Sequence, residues 1–150
     1  MQLVGDLVDP ESLVGQEIRG VTSSWFLSRT GVRALVHTWL TIEQLGNVRI
    51  HTQAGIQLNL SEPYDPYEMA DLGSRVDVEA GTPSLLQALV GQLITSIQRL
   101  IVTKYGYPSG MILTTDVGAV GVADVGDDLV IGPWPDVDLW VRLGMELDES

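Results

Sequence analysis

His37 and His51 are the only histidines in the 150-residue chain, and there is no cysteine. Nucleophilic or acid–base chemistry would need one of them beside a serine and an orienting carboxylate. Neither has an acid at a fixed spacing, and no serine sits in a G-x-S-x-G elbow; Tyr107-Pro108-Ser109-Gly110 reads as a turn. The two imidazoles would meet only if their strands pair. Asp124, Asp127 and Asp128 form the tightest carboxylate cluster, a residue type suited to metal or glycoside chemistry. They lack the Asp-x-Asp-x-Asp-Gly order of a calcium loop, and aspartates at a glycine-containing hairpin tip serve turn geometry. Lys104 is the single lysine and follows no phosphate-binding glycine loop, and Gly5, Gly15 and Gly20 do not space as a dinucleotide fingerprint. The residues therefore read as those of a non-catalytic protein with no cofactor and no metal.

Charge points to a partner class. Twenty Asp and Glu stand against eight Lys and Arg, a net charge of −12, yet 45% of residues are hydrophobic. That share is too high for an acidic disordered chain, and the length suits one domain, residues 1–150. The negative field disfavours direct contact with nucleic acid or an anionic membrane and favours a basic protein. Met1 to Asp6 places an acid where a secretory signal needs a basic start. The most apolar stretch, Leu85 to Val102, is broken by Gln87, Gln92, Ser96, Gln98 and Arg99, so no membrane span is expected. A cytoplasmic location is the expectation. Arginine outnumbers lysine seven to one, a bias in keeping with a GC-rich bacterial coding sequence.

The charge is uneven along the chain. Between Asp116 and Ser150 nine acids face one base, Arg142; between Glu62 and Glu79 six acids face Arg75. These segments are the candidate interaction surface.

The elements that must carry them are mostly strands, because apolar residues alternate with polar ones. Val32, Ala34, Val36, Thr38, Leu40 and Ile42 fall on one face, Val48, Ile50 and Thr52 repeat the pattern, and so do Ile56, Leu58 and Leu60. Val137, Leu139, Val141, Leu143 and Met145 alternate likewise and read as a further strand. Two short helices are expected: one begins at Thr82 as N-cap with Pro83 at the first helical position, and Asp9-Pro10 writes the same start in miniature. Residues 92–102 fit either strand or helix. The fold class is α+β, mainly antiparallel sheet.

Leu13-Val14-Gly15-Gln16 recurs as Leu89-Val90-Gly91-Gln92, which points to an internal duplication with half-units 9–80 and 82–147. Ile50 to Ile56 matches Leu113 to Ala119 as strand, turn and strand, so the first unit would be the longer between landmarks.

Two proline-stiffened segments carry aromatics among acids: Tyr64-Asp65-Pro66-Tyr67, and Asp124 to Asp136, which ends in Gly132-Pro133-Trp134-Pro135-Asp136. In these the chain resembles the small acidic immunity proteins of bacterial polymorphic toxin systems. The resemblance implies an inhibitor that occludes a basic protein partner such as a toxin. Tyr64, Tyr67 and Trp134 would be the buried anchors, and Asp65, Asp124, Asp127, Asp128, Asp136 and Asp138 would face the partner's Lys and Arg. A second reading is a small-molecule or regulatory module with its site between the half-units, where His37, Trp39, Arg49 and His51 are candidates. A third is a homo-oligomer joined through a sheet edge such as 137–147.

Overall fold

A computed structural model of the chain describes residues 7–69, 73–134 and 136–148. Met1 to Asp6, Asp71, Pro135 and Glu149 lie outside them.

Among the described residues the alternating segments become eleven antiparallel strands in two sheets. β1 (Ile18–Leu27), β2 (Arg33–Ile42), β3 (Gly46–Thr52) and β4 (Ile56–Leu60) form a meander, and β6 (Ser74–Ala80) returns to pair with β1, with β5 (Tyr67–Met69) beyond it. β7 (Ile94–Val102), β8 (Pro108–Thr115), β9 (Gly118–Val125) and β10 (Asp128–Trp134) repeat that meander, and β11 (Met145–Leu147) returns to β7 as β6 does to β1. The segment 92–102, open between helix and strand, is therefore strand. The sheets pack face to face around one apolar core. Ile18, Val21, Leu40, Ile42, Val48, Ile50 and Leu58 from the first sheet meet Ile94, Met111, Leu113, Val120, Val122 and Leu129 from the second.

The two halves dock through reciprocal hydrogen bonds. Gly15 N donates to Ile94 O at 2.8 Å and Gly91 N to Ile18 O at 2.7 Å; Ile18 N donates to Gln92 O at 3.0 Å and Ile94 N to Gln16 O at 2.9 Å. Each donor and acceptor has its counterpart 76 positions away, as an approximate two-fold axis requires. Even an irregularity repeats: the register shifts between Ile18 and Gly20 and again between Ile94 and Ser96. The strand order also corrects one correspondence. The turn after β3 is equivalent to the turn after β9, not to the turn after β8, so the halves are nearly equal in length. Any hairpin of a meander reads alike in sequence, and only sheet order tells which is which.

Three local expectations differ from the structure. The segment 137–147 is not one strand: α2 (Val137–Arg142) precedes β11. Asp136 caps it, accepting from Leu139 N at 3.2 Å, and Gly144, at φ +77°, ends it. Asp138 in the first turn and Arg142 in the last complement the helix dipole. α1 (Ser84–Gln87) has Pro83, not Thr82, at its N-cap. The Thr82 hydroxyl instead donates to Glu79 O and accepts from Trp25 Nε1 at 3.0 Å. The Asp9 cap is present as expected, accepting from Glu11 N at 3.0 Å, but it opens a 3-10 turn, Pro10–Leu13.

α2 covers the outer face of the second sheet. Trp140 is buried there with Leu100, Ile112, Ala123 and Met145, and its indole N–H donates to Pro133 O at 3.0 Å. Gly121 and Gly132 make the trough: a Cβ on Gly121 would overlap the Trp140 ring, and one on Gly132 would lie 2.6 Å from Leu139 Cδ2. No helix among the described residues is long and apolar enough to cross a membrane.

Candidate functional site

Asp124 builds an end of the molecule where two clefts open. It is 8% exposed, and its carboxylate accepts from Gly55 N at 2.9 Å and from Asp127 N at 2.8 Å. One side chain thus ties the β3–β4 turn to the β9–β10 turn. Its own carbonyl accepts from Ser109 Oγ at 2.7 Å, and Thr52 Oγ1 donates to Asp127 O at 3.0 Å. The two turns share a left-handed backbone: Ala54 and Gly55 have φ of +53° and +115°, Gly126 and Asp127 of +58° and +71°.

Two clefts flank this junction. The larger, about 430 Å³, has Val102, Val125, Leu143 and Met145 as apolar walls, with Tyr107 and Asp127 beside them. The smaller, about 340 Å³, lies across Ala54–Gly55 and carries Asp9, Glu11 and Arg99. Tyr105 and Tyr107, 66% and 52% exposed, lie with tilted rings 5.7 Å apart on the β7–β8 turn, Tyr107 lining the larger cleft. Exposed tyrosines next to an apolar hollow give large contact area at small entropic cost on binding.

A second constellation lies on the outer face of the first sheet. Pairing of β2 with β3 sets Trp39 opposite Arg49, and the same register brings His37 beside His51, whose rings meet edge-on at 6.2 Å. Tyr64 is laid over them by the 61–66 segment: it meets Trp39 edge-to-face at 5.1 Å, hydrogen-bonds His37 Nδ1 at 2.8 Å and donates to Ser24 Oγ at 2.7 Å. The four residues proposed for a site between the half-units therefore do assemble. They do so on an outer face, because the space between the halves is filled by the apolar core. Tyr64 covers His37 and Trp39 there. Trp39 Nε1 and His51 Nδ1 are buried without a hydrogen-bond partner.

This cluster makes stability depend on pH. Burial, then the nearby Arg49 and His51, lower the His37 pKa from 6.5 to about 4. A histidine held neutral in the folded state binds fewer protons than in the unfolded chain, so stability falls as pH drops through 6.5 and levels off below about 4. Discounted for partial exposure, the loss is about 1–2 kcal/mol. Urea denaturation at neutral pH and near pH 4 should show that extra slope in the wild type and not in His37→Gln. Parallel curves would refute it.

The structure distributes the predicted contact residues over three places. Tyr64, Asp65 and Tyr67 lie at the outer face of the first sheet; Tyr64 is half-buried in the cluster and meets Tyr67 edge-on at 5.8 Å. Asp127 and Asp128 are exposed at the β9–β10 turn. Trp134, Asp136 and Asp138 lie at the far end of β10, whose seven residues span roughly 20 Å. A single surface joining all nine is not formed. Asp124 is internal, its carboxylate occupied by backbone N–H groups. Trp134 packs on Trp140 at 6.5 Å, on the opposite side of the molecule from Tyr64, and belongs to the cover of the second sheet. Sequence reading passed over Tyr105 and Tyr107. Two tyrosines flanking Gly106 just before Pro108 were the available signal.

Arg19–Glu43, Arg33–Glu79 and Arg75–Asp77 all belong to the first half. Among the described residues Asp116, Asp127, Asp128, Asp136, Asp138 and Glu146 have no ion-pair partner. No group of three or more His, Asp or Glu side chains there could hold a metal ion.

Comparison with protein-family models, curated proteins and solved structures finds no match for this chain. Its reading rests on its own geometry.

Proposed function

We propose that the protein is a non-catalytic binding protein that occludes a basic protein partner, in the manner of an immunity-type inhibitor of a toxin. The contact is made by the end where the β3–β4 and β9–β10 turns meet. The observation that carries this reading is the exposed Tyr105–Tyr107 pair beside a cleft with unpaired Asp127 and Asp128 at its turn. Aromatic anchors desolvate on contact and govern the off-rate, while unpaired carboxylates draw in Lys and Arg and govern the on-rate.

The experiment is affinity capture from the source lysate with three baits: wild type, Asp128→Lys and Tyr107→Ala. One stoichiometric basic protein should be retained by the wild type at moderate salt. Measured against that protein, Asp128→Lys should slow association about 3–10-fold, and Tyr107→Ala should raise Kd more than tenfold through the off-rate. Equal binding by all three baits would remove this end of the molecule from the interface. Loss of every captured protein at moderate salt would reduce the acidity to a solubilising role.

A further inference from the structure

We infer that the 430 Å³ cleft is a receptor for one arginine side chain of the basic partner, its guanidinium stacked on Tyr107 and paired with Asp127. This rests on the reading of the protein as a binder of a basic partner, and it names the chemistry that the site selects.

Four observations converge on it. The walls from Val102, Val125, Leu143 and Met145 suit the methylene stem of a long side chain whose charged head stays at the mouth. Tyr107 offers an exposed ring at that mouth, and the chain's own cations are placed elsewhere: Lys104 lies over Tyr105 at 5.3 Å, and Arg99 lines the neighbouring cleft. Asp127 supplies a carboxylate with no ion-pair partner among the described residues. It does so from a left-handed backbone at φ +71°, in the two-residue turn between Val125 and Asp128. The turn needs no carboxylate there; a glycine would adopt the conformation with less strain.

The same chemistry already operates inside this protein. The Arg33 guanidinium lies 4.0 Å over the Trp25 ring and pairs with Glu79. A planar guanidinium can stack on a ring and bond a carboxylate at once, whereas an ammonium is a compact, strongly hydrated point charge. The cleft should therefore prefer arginine over lysine.

The test titrates the full chain, labelled for amide NMR, with capped Gly-Arg-Gly and capped Gly-Lys-Gly at about 0.15 M salt, where long-range attraction is screened. Saturable shifts are expected at Tyr107, Asp127, Leu143 and Met145, with the arginine peptide about three- to fivefold tighter. Asp127→Gly should lose that binding at least fivefold, by roughly the weight of one charge-assisted contact, while its Tm stays level or rises. Tyr107→Leu should keep the cleft wall and abolish the preference for arginine. Equal affinity of the two peptides at these residues would overturn the arginine receptor and leave the basic-partner reading standing. Shifts centred on Asp116, Asp136 and Asp138, or no shift with either peptide, would overturn the assignment of the cleft. So would a lowered Tm in Asp127→Gly, which would make Asp127 a structural residue.

Discussion

Asp124→Ala should destabilise the protein by about 3–5 kcal/mol in urea or guanidinium denaturation, because two charge-assisted hydrogen bonds contribute roughly 1.5–3 kcal/mol each. The carboxylate is buried, and its acceptance from Gly55 N and Asp127 N is what joins the two halves at this end. Truncation leaves the Gly55 and Asp127 amides without their acceptor and frees both turns. Asn keeps one acceptor and presents an amide nitrogen to the other N–H, so Asp124→Asn should fall between wild type and Ala. Because the larger cleft is lined from both turns, partner binding should drop with stability in either variant. A cost below about 1 kcal/mol for Asp124→Ala would mean that water replaces the carboxylate, and that the junction holds without it.

Trp140→Ala should cost about 3–5 kcal/mol, the range for removing a fully buried aromatic side chain. The indole is 1% exposed and fills the trough above Gly121 and Gly132, where it also satisfies Pro133 O. Gly121→Ala should be nearly as harmful from the opposite direction, since its Cβ would take the space of the ring. The two effects should not add. With Trp140 already truncated, alanine at 121 meets no ring, so the double variant should lie close to Trp140→Ala alone. Additive losses would place the cause in the backbone of β9 and not in the trough. Because Met145 and Leu143 pack in the Trp140 cluster and also wall the larger cleft, partner affinity should weaken in Trp140→Ala as well.

Much of this architecture was legible because it is local. Alternation in 48–52 and 56–60 reads directly as strands with one buried face, and the meander follows from short turns between them. Asp9-Pro10 announced its cap. The repeated Leu-Val-Gly-Gln was legible too, and the structure shows these residues at the reciprocal hydrogen bonds that dock the halves.

Residues 137–147 show where local pattern fails. Val137, Leu139 and Val141 alternate as a strand would, yet burying Trp140 and Leu143 together with Leu139 requires helical spacing. The trough that makes this burial favourable is formed by glycines on β9 and β10, distant in sequence. Trp134, a tryptophan between prolines, is partly buried because α2 brings Trp140 against it.

The sequence by itself determined the charge composition, the strand-rich class and the repeated Leu-Val-Gly-Gln, all carried by residue type and short-range period. Only the tertiary structure decided which acids face outward. Asp124, Asp127 and Asp128 stand almost adjacent in the chain, yet the first is drawn inside to hold two turns together and the other two are left at the surface. Hydrogen bonding to Gly55, 69 positions away, makes that difference. No periodicity within either segment could have announced it, because the partner amide is supplied by the other half of the fold.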